Sequence, residues 1–250
     1  MISKSKTKLF NSLKLRKYRK KHALFVAEGQ KIINDLINSG TKTNCIISCN
    51  NDFKENNTSN YEFIFASQQE IKKNSNLKTP VDTIAIFELP NYEINFEELE
   101  NELVLFCDNL QNPGNLGTII RTADWFGIKN IICTEDTVDA YNPKVIQASM
   151  GAIARVKVHY VNTENFFNKL NNKLVVYGTF LEGENIYGTN LNKNGIIVIG
   201  NEGKGISDNL QKYISKKIHI PNFSENASKS ESLNASIATA IVCAEFRRRK

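Results

Sequence analysis

No run of apolar residues in this 250-residue chain approaches the ~20 needed to span a bilayer. Its opening, MISKSKTKLFNSLKLRKYRKK, places charges where a secretory signal needs an apolar core. Neither a membrane span nor an export signal is expected, and the expected compartment is the cytoplasm. Cysteine is sparse and odd in number: Cys45, Cys49, Cys107, Cys133 and Cys243. Three lie inside apolar runs, where a reduced thiol is a small hydrophobe. Cys45 and Cys49 lack a second Cys or His pair at zinc spacing, so structural thiols are expected rather than a metal site. Two nucleotide fingerprints are missing as well. Gly200 and Gly205 are followed by Ile206 rather than by Lys-Ser/Thr, which fails the P-loop, and no GxGxxG follows a strand.

Acidic residues are absent from residues 1–21, which hold nine Lys/Arg. Arg247-Arg248-Arg249-Lys250 adds four cations at the other end, so removing these thirteen from the net +6 leaves −7 on the remainder. Cations clustered at the two ends are the footprint of a nucleic-acid binder, because each neutralised phosphate releases counterions. Lys14, Arg16, Lys17, Arg19, Lys20 and Lys21 are the candidate RNA-binding residues. A helix would spread them around its circumference, which favours phosphate tracking over base reading. A solvated helix with a solubilising tail is the plainer alternative.

At 41% hydrophobic the chain can bury a sizeable core, and its patterning divides it in two. Short β-rich runs at 24–27, 44–48, 62–66 and 83–89 alternate with helical patterns at 28–39 and 68–73, giving a small α/β unit over 1–90. The Asn-rich stretch 50–60 reads as an exposed loop, and the acidic stretch 91–101 as a linker. From 102 to 250 the alternation strengthens. Strands are expected at 103–107, 130–133, 155–159, 174–179, 195–199 and 217–220, several of them continuous apolar runs suited to a parallel sheet covered on both faces. Asn142-Pro143 starts a helix to about Gly151, and a last helix, rich in small residues, runs from Leu233 to about Phe246.

Three segments follow strands, where open α/β sheets bind ligands. In the first, Asn112-Pro113-Gly114-Asn115-Leu116-Gly117, a tight Gly/Asn loop is expected before a helix. There Leu116, Ile119, Ile120, Ala123 and Phe126 share one face, and Arg121 points nearly opposite. The second is Gly200-Asn201-Glu202-Gly203-Lys204-Gly205. The third ends in Ser232-Leu233-Asn234, where Ser232 is also a candidate helix cap. Each has an ordinary structural explanation, and their joint occurrence at three strand ends raises the functional reading of all.

Together these segments resemble the three ordered motifs of the SpoU/TrmH-type RNA 2′-O-ribose methyltransferases of the SPOUT superfamily, over about residues 103–247. Lys17-Tyr18-Arg19 through Gly29 is similar to the start of that family's substrate-binding domain. The segment from Asn222 to Ser230 is longer than the compact loop expected of the family. The resemblance implies an α/β fold with a C-terminal parallel-sheet domain tied in a trefoil knot, behind a small α/β substrate-binding domain. It further implies a homodimer and S-adenosylmethionine as methyl donor, held around Thr179, Ile199, Gly200, Glu202, Ile220 and Leu233. Arg121, Asn115, Glu202, Ser232 and Asn234 become the implied catalytic set, with Glu202 expected to fix Arg121 by a charge-assisted pair. The implied substrate is structured RNA, ribosomal in preference to transfer RNA. The competing readings are a non-catalytic RNA-binding or ribosome-assembly protein on the same scaffold, and a Rossmann-like nucleotide enzyme, which lacks its fingerprint.

Overall fold

The computed structural model describes residues 2–51, 61–79, 81–170, 172–224 and 232–248. Most of the Asn-rich stretch (52–60), positions 225–230 of the long third loop, and Arg249 and Lys250 lie outside the described residues. Two compact units are formed, Met1–Asn91 with Asp139–Arg155, and Tyr92–Val138 with Val156–Lys250. The segment 139–155, read from sequence as part of the second half, thus joins the first unit.

The first unit holds α1 (Lys4–Ser12), α2 (Arg16–His22), β1 (Leu24–Glu28), α3 (Gln30–Asn38), β2 (Thr43–Ser48), β3 (Glu62–Phe65), α4 (Gln68–Asn74) and β4 (Thr83–Glu88). Its sheet runs β1-β4-β2-β3, with β4 antiparallel to both neighbours and β2 parallel to β3. Period-two alternation buries both faces. Val26, Ile47, Ile84 and Ile86 pack with Phe10, Leu13 and Ile71 on one side. On the other, Phe25 stacks with Phe87 at 5.5 Å and meets Tyr141 at 4.8 Å. Tyr141 belongs to the inserted segment, where Asn142 caps α7 (Pro143–Ser149) through the Lys144 N–H, as the Asn-Pro pair predicts. Gly151 follows at φ +93°, and a Cβ there would meet the Asp35 carboxylate at 2.0 Å. Only glycine fits that corner.

The second unit contains α5 (Phe96–Leu99), β5 (Leu103–Cys107), α6 (Pro113–Trp125), β6 (Asn130–Thr134), β7 (Lys157–Val161), α8 (Thr163–Leu170), β8 (Val176–Asn185), β9 (Gly195–Ile199), α9 (Asp208–Gln211), β10 (Lys216–His219) and α10 (Ala235–Arg248). The stretch read as a linker carries α5, capped by Asn95. Ile94, Phe96 and Leu99 join the core of this unit, so its apolar residues outweigh its acidic ones. The sheet is wholly parallel in the order β10-β8-β9-β5-β6-β7. Val104, Phe106, Ile132, Val176, Ile196 and Val198 pack against Phe166, Phe167 and Leu170 of α8 on one face. Tyr177 points the other way, edge-on to Phe246 of α10 at 4.9 Å, so helices cover both faces. The cysteines are free thiols, four of them buried, and burial pushes the Cys243 thiol up to about 12.

Arg19 corrects the sequence reading of the basic arm. It is 2% exposed, donates through Nε to Asp139 at 2.8 Å, and through Nη1 to the carbonyls of Leu13 and Lys14 at 2.7 and 2.9 Å. It closes the corner between α1 and α2 and is not available to phosphates. Removing one partner of a buried pair strands the other charge. Arg19→Met is therefore expected to lower the unfolding free energy by about 3–5 kcal/mol, read as a shift in urea midpoint. Lys20→Met, on the exposed side of the same helix, should stay within about 0.5 kcal/mol of the native protein. An unchanged midpoint for Arg19→Met would show that the pair does not hold the corner.

Candidate active site

The chain fills one side of the parallel sheet with β5, β6 and β7 and then crosses to build β8, β9 and β10 on the other. The switch falls between β5 and β9, and ligands of open α/β sheets bind at the carboxyl ends of strands beside such a point. The loops leaving β5 and β9 are bonded there. The Asp108 N–H donates to the Ile199 carbonyl at 2.9 Å, the Asp108 carboxylate accepts from the Ser207 N–H at 2.7 Å, and the Asn201 amide donates to the Asn109 carbonyl at 2.7 Å.

Asn112 to Leu116 is not the tight loop expected from its glycine and asparagines. Asn112 caps α6, its Oδ1 accepting from the N–H groups of Gly114 and Asn115 at 2.8 and 3.3 Å, and Pro113 takes the first helical position. The signal is the same Asn-Pro pair that starts α7, and the flanking glycines disguise it. Leu116, Ile119, Ile120 and Ala123 are buried as the helical phase predicts, and Arg121 is exposed.

Glu202 does not pair with Arg121. Its carboxylate reaches the start of α6, accepting from the N–H of Gln111 (3.4 Å), the N–H of Asn112 (3.3 Å) and the Asn115 amide (3.0 Å). A helix N-terminus presents unsatisfied N–H groups and a positive dipole end, which suits a carboxylate better than a distant guanidinium does. Partial burial opposes ionisation of Glu202. The Asn115 amide together with the N–H groups of Glu202 itself, Gln111 and Asn112 outweighs it, and the carboxyl lies below its usual range. A lowered carboxyl contributes stability that is present above its unfolded pKa and lost as pH falls through the folded value.

The chain of bonds continues. Asn115 Oδ1 accepts from the Asn234 amide at 3.0 Å, and Asn234 Oδ1 caps α10 by accepting from the N–H and hydroxyl of Ser236 at 3.0 and 2.7 Å. The cap is thus Asn234, not Ser232, and α10 begins two residues later than the predicted Leu233. Ser232 is exposed. Asn115 is 8% exposed and spends both ends of its amide inside the protein, so it is a bridge between two helix starts. Among the described residues Arg121 has no hydrogen-bond or ion-pair partner.

Of the expected cofactor residues, Thr179 lies within β8, and Ile199 and Ile220 lie at or just past the ends of β9 and β10, the strands that flank β8 in the sheet. Gly178 pairs with Val198, which sets Thr179 beside Ile199, and the Thr179 hydroxyl donates to the Val198 carbonyl at 2.9 Å. Ile199 is buried, Ile220 half-buried, and Leu233 is 51% exposed. Exposed and half-buried aliphatics beside open strand ends fit the apolar ring and polar tail of S-adenosylmethionine. Gly200 has a different reason to be glycine. A Cβ there would sit 2.4 Å from the Gly205 carbonyl carbon and 2.6 Å from the Ile206 nitrogen, so the loop closes on itself at this point. A substitution at 200 would distort the loop and cannot isolate cofactor contacts.

Sequence reasoning missed Asp108, Asn109 and Gln111. They lie between the strand and the recognised motif, and their partners are 25 to 99 residues away. No local pattern marks them, although Asn109 at φ +51° is a residue type that tolerates the left-handed region. No group of three or more metal-binding side chains occurs among the described residues.

Residues 102–244 match the SpoU rRNA methylase family, and residues 4–85 match the MRM3-like substrate binding domain. The chain is 26% identical to the 23S rRNA (guanosine(2553)-2′-O)-methyltransferase RlmP of Bacillus subtilis, covering 97% of this chain and 96% of that protein. A structure from Porphyromonas gingivalis described as an RNA methyltransferase of the TrmH family superposes with a TM-score of 0.87 at 34% identity, covering 100% of both chains. An S-adenosylmethionine-bound rRNA methyltransferase from Sinorhizobium meliloti gives 0.87 at 27% identity, over 100% of this chain and 97% of that one. The strand-end cluster and these matches over both units agree: the chain belongs to the SpoU rRNA methylase family and is an S-adenosylmethionine-dependent RNA 2′-O-methyltransferase with an N-terminal substrate-binding domain.

Proposed function

We propose that the substrate is a ribose 2′-hydroxyl in structured ribosomal RNA, methylated in the cytoplasm by a homodimer without a metal ion. Residues up to about 90, with 139–155 packed into their unit, form the RNA-binding domain, and the rest of 102–250 the methyltransferase domain. The observation that carries this reading is the bonded series Glu202–Asn115–Asn234, which locks the starts of α6 and α10 while leaving Arg121 exposed. The activity of the Bacillus relative supports the substrate class. Free thiols in all five cysteines agree with a reducing compartment. The return of the chain after β10 to pack α10 on α6, with Asn234 against Asn115, supports a knotted C-terminus.

S-adenosylmethionine supplies an electrophilic methyl group, held by Thr179, Ile199, Ile220 and Leu233 and by the backbone at Gly200. A ribose hydroxyl is a weak nucleophile, so the protein must place it and favour its ionisation. Arg121 grips the adjacent phosphate and stabilises the developing alkoxide. A guanidinium stays protonated in proteins, which makes it a poor base but a strong fixed donor. Ser232, exposed just before α10, meets the ribose. Glu202, Asn115 and Asn234 act as positioning residues, since their polar atoms are engaged with one another and with backbone. The dimer forms through α6 and α10. Trp125 is 85% exposed at the end of α6 and Ile237 54% exposed near the start of α10, two exposed apolar side chains on helices that pack together.

Arg121→Ala is expected to lose on the order of 10²-fold or more in turnover, while Arg121→Lys keeps measurable activity and both bind S-adenosylmethionine as the native protein does. Native turnover in Arg121→Ala would remove it from the site. Leu233→Asp should weaken S-adenosylmethionine binding at least tenfold by calorimetry without changing the thermal midpoint, and unchanged affinity would relocate the pocket. Trp125→Glu with Ile237→Asp should sediment as a monomer where the native chain sediments as a dimer. Mapping ribose methylation in ribosomal and transfer RNA from cells with and without the protein tests the substrate itself. Methylation lost from transfer RNA alone would overturn the ribosomal assignment.

A further inference from the structure

Helix α2 carries more than charge. At about 100° per residue, Lys17 and Lys21 project away from the inward Arg19, Tyr18 and His22 lie together on the flank between the two, and Lys20 lies on the opposite flank. Burial follows this phase: Arg19 is buried, Tyr18 is half-buried, and Lys17, Lys20, Lys21 and His22 are exposed. The Tyr18 and His22 rings are near parallel, 18° apart in plane with centroids 6.3 Å apart, and Lys17 Nζ lies 4.9 Å from the Tyr18 centroid. No acidic residue occupies the first turn, and the last turn is wholly basic. Among the described residues Lys14, Lys17, Lys20 and Lys21 have no carboxylate partner.

We propose that this face of α2 receives an unpaired stretch of RNA, one base stacking on the Tyr18–His22 pair while the flanking phosphates lie against Lys17 and Lys21. The proposal rests on the reading of the chain as an RNA methyltransferase and adds the class of RNA segment that its first unit grips. Cations alone would serve a duplex as well as a single strand. Paired aromatic faces serve only a base that has left its own stack, because an A-form helix keeps its bases covered. Stacking of this kind tolerates any base, which suits an arm that tracks phosphates. An anionic membrane surface is the poorer fit. It calls for an apolar face opposite the charges, and here that side is Arg19 closing a corner.

The test uses the full chain and two probes, a single-stranded oligoadenylate and an RNA duplex of equal length, followed by fluorescence anisotropy across a salt series. Tyr18→Leu and His22→Leu should each weaken single-strand binding by roughly five- to a hundredfold, leave duplex binding within about twofold, and keep the salt slope, since the lysines remain. Tyr18→Phe should bind as the native chain does. With the methylated RNA, Tyr18→Leu should raise KM and leave kcat unchanged. His22 is exposed, so its variant keeps the proposal testable if Tyr18→Leu unfolds. Equal losses on both probes, or none on the single strand, would overturn the stacking role while leaving the methyltransferase reading intact. Native protein that binds neither probe but binds phosphatidylserine vesicles would overturn both.

Discussion

The second unit depends on one carboxylate. Glu202 sits on the loop after β9, yet its three donors belong to the entry of α6 after β5. That bond is possible because β5 and β9 are paired strands, and the pairing exists because the chain reverses its direction of sheet growth between β7 and β8. Without a charge on Glu202, the Asn115 amide would have a weaker acceptor on one end and would hold Asn234 less firmly on the other. The starts of α6 and α10, and with them Arg121 and Ser232, would drift relative to the strand ends. Positional precision in this site comes from acceptors meeting helix N-termini, the cheapest strong bond a backbone offers a carboxylate.

A division of labour follows. Residues whose polar atoms are consumed internally, Asn115 above all, build the frame. Residues left with idle donors, Arg121 and Ser232, face outward. Such a frame is fixed where bonds converge on Asn115 and open where Arg121 and Ser232 face solvent. Glycine serves the same frame. Gly200 lets the loop fold onto Gly205 and Ile206 so that Glu202 can reach across, which is a structural requirement inside a functional motif.

The first unit illustrates how burial reassigns a residue. Six cations in one short segment look alike in a sequence, and electrostatics alone would send all of them to phosphate. Packing singles out Arg19, which donates to the carbonyls of Leu13 and Lys14 after α1 and to Asp139, a residue 120 positions away. Lys14, Lys17, Lys20 and Lys21 stay in solvent, and Arg16 is half-buried.

The chain's own pattern located the strands, though β7 starts two residues later than read and β8 runs on to Asn185, and it revealed the parallel character of the second sheet, the apolar stripe of α6 and the three motifs, because each depends on local periodicity or on residue types within a few positions. It also placed Arg121 on the exposed side of its helix. Tertiary structure alone decided that Glu202 clamps α6 instead of pairing with Arg121, that Asn234 rather than Ser232 caps α10, that 91–101 packs as part of the second unit, and that 139–155 joins the first. The first two turn on which donor lies within about 3 Å of which acceptor once strands far apart in sequence have become neighbours, and the last two on which apolar side chains a core can receive. Residue type specifies what a side chain can bond, and only the fold specifies what it meets.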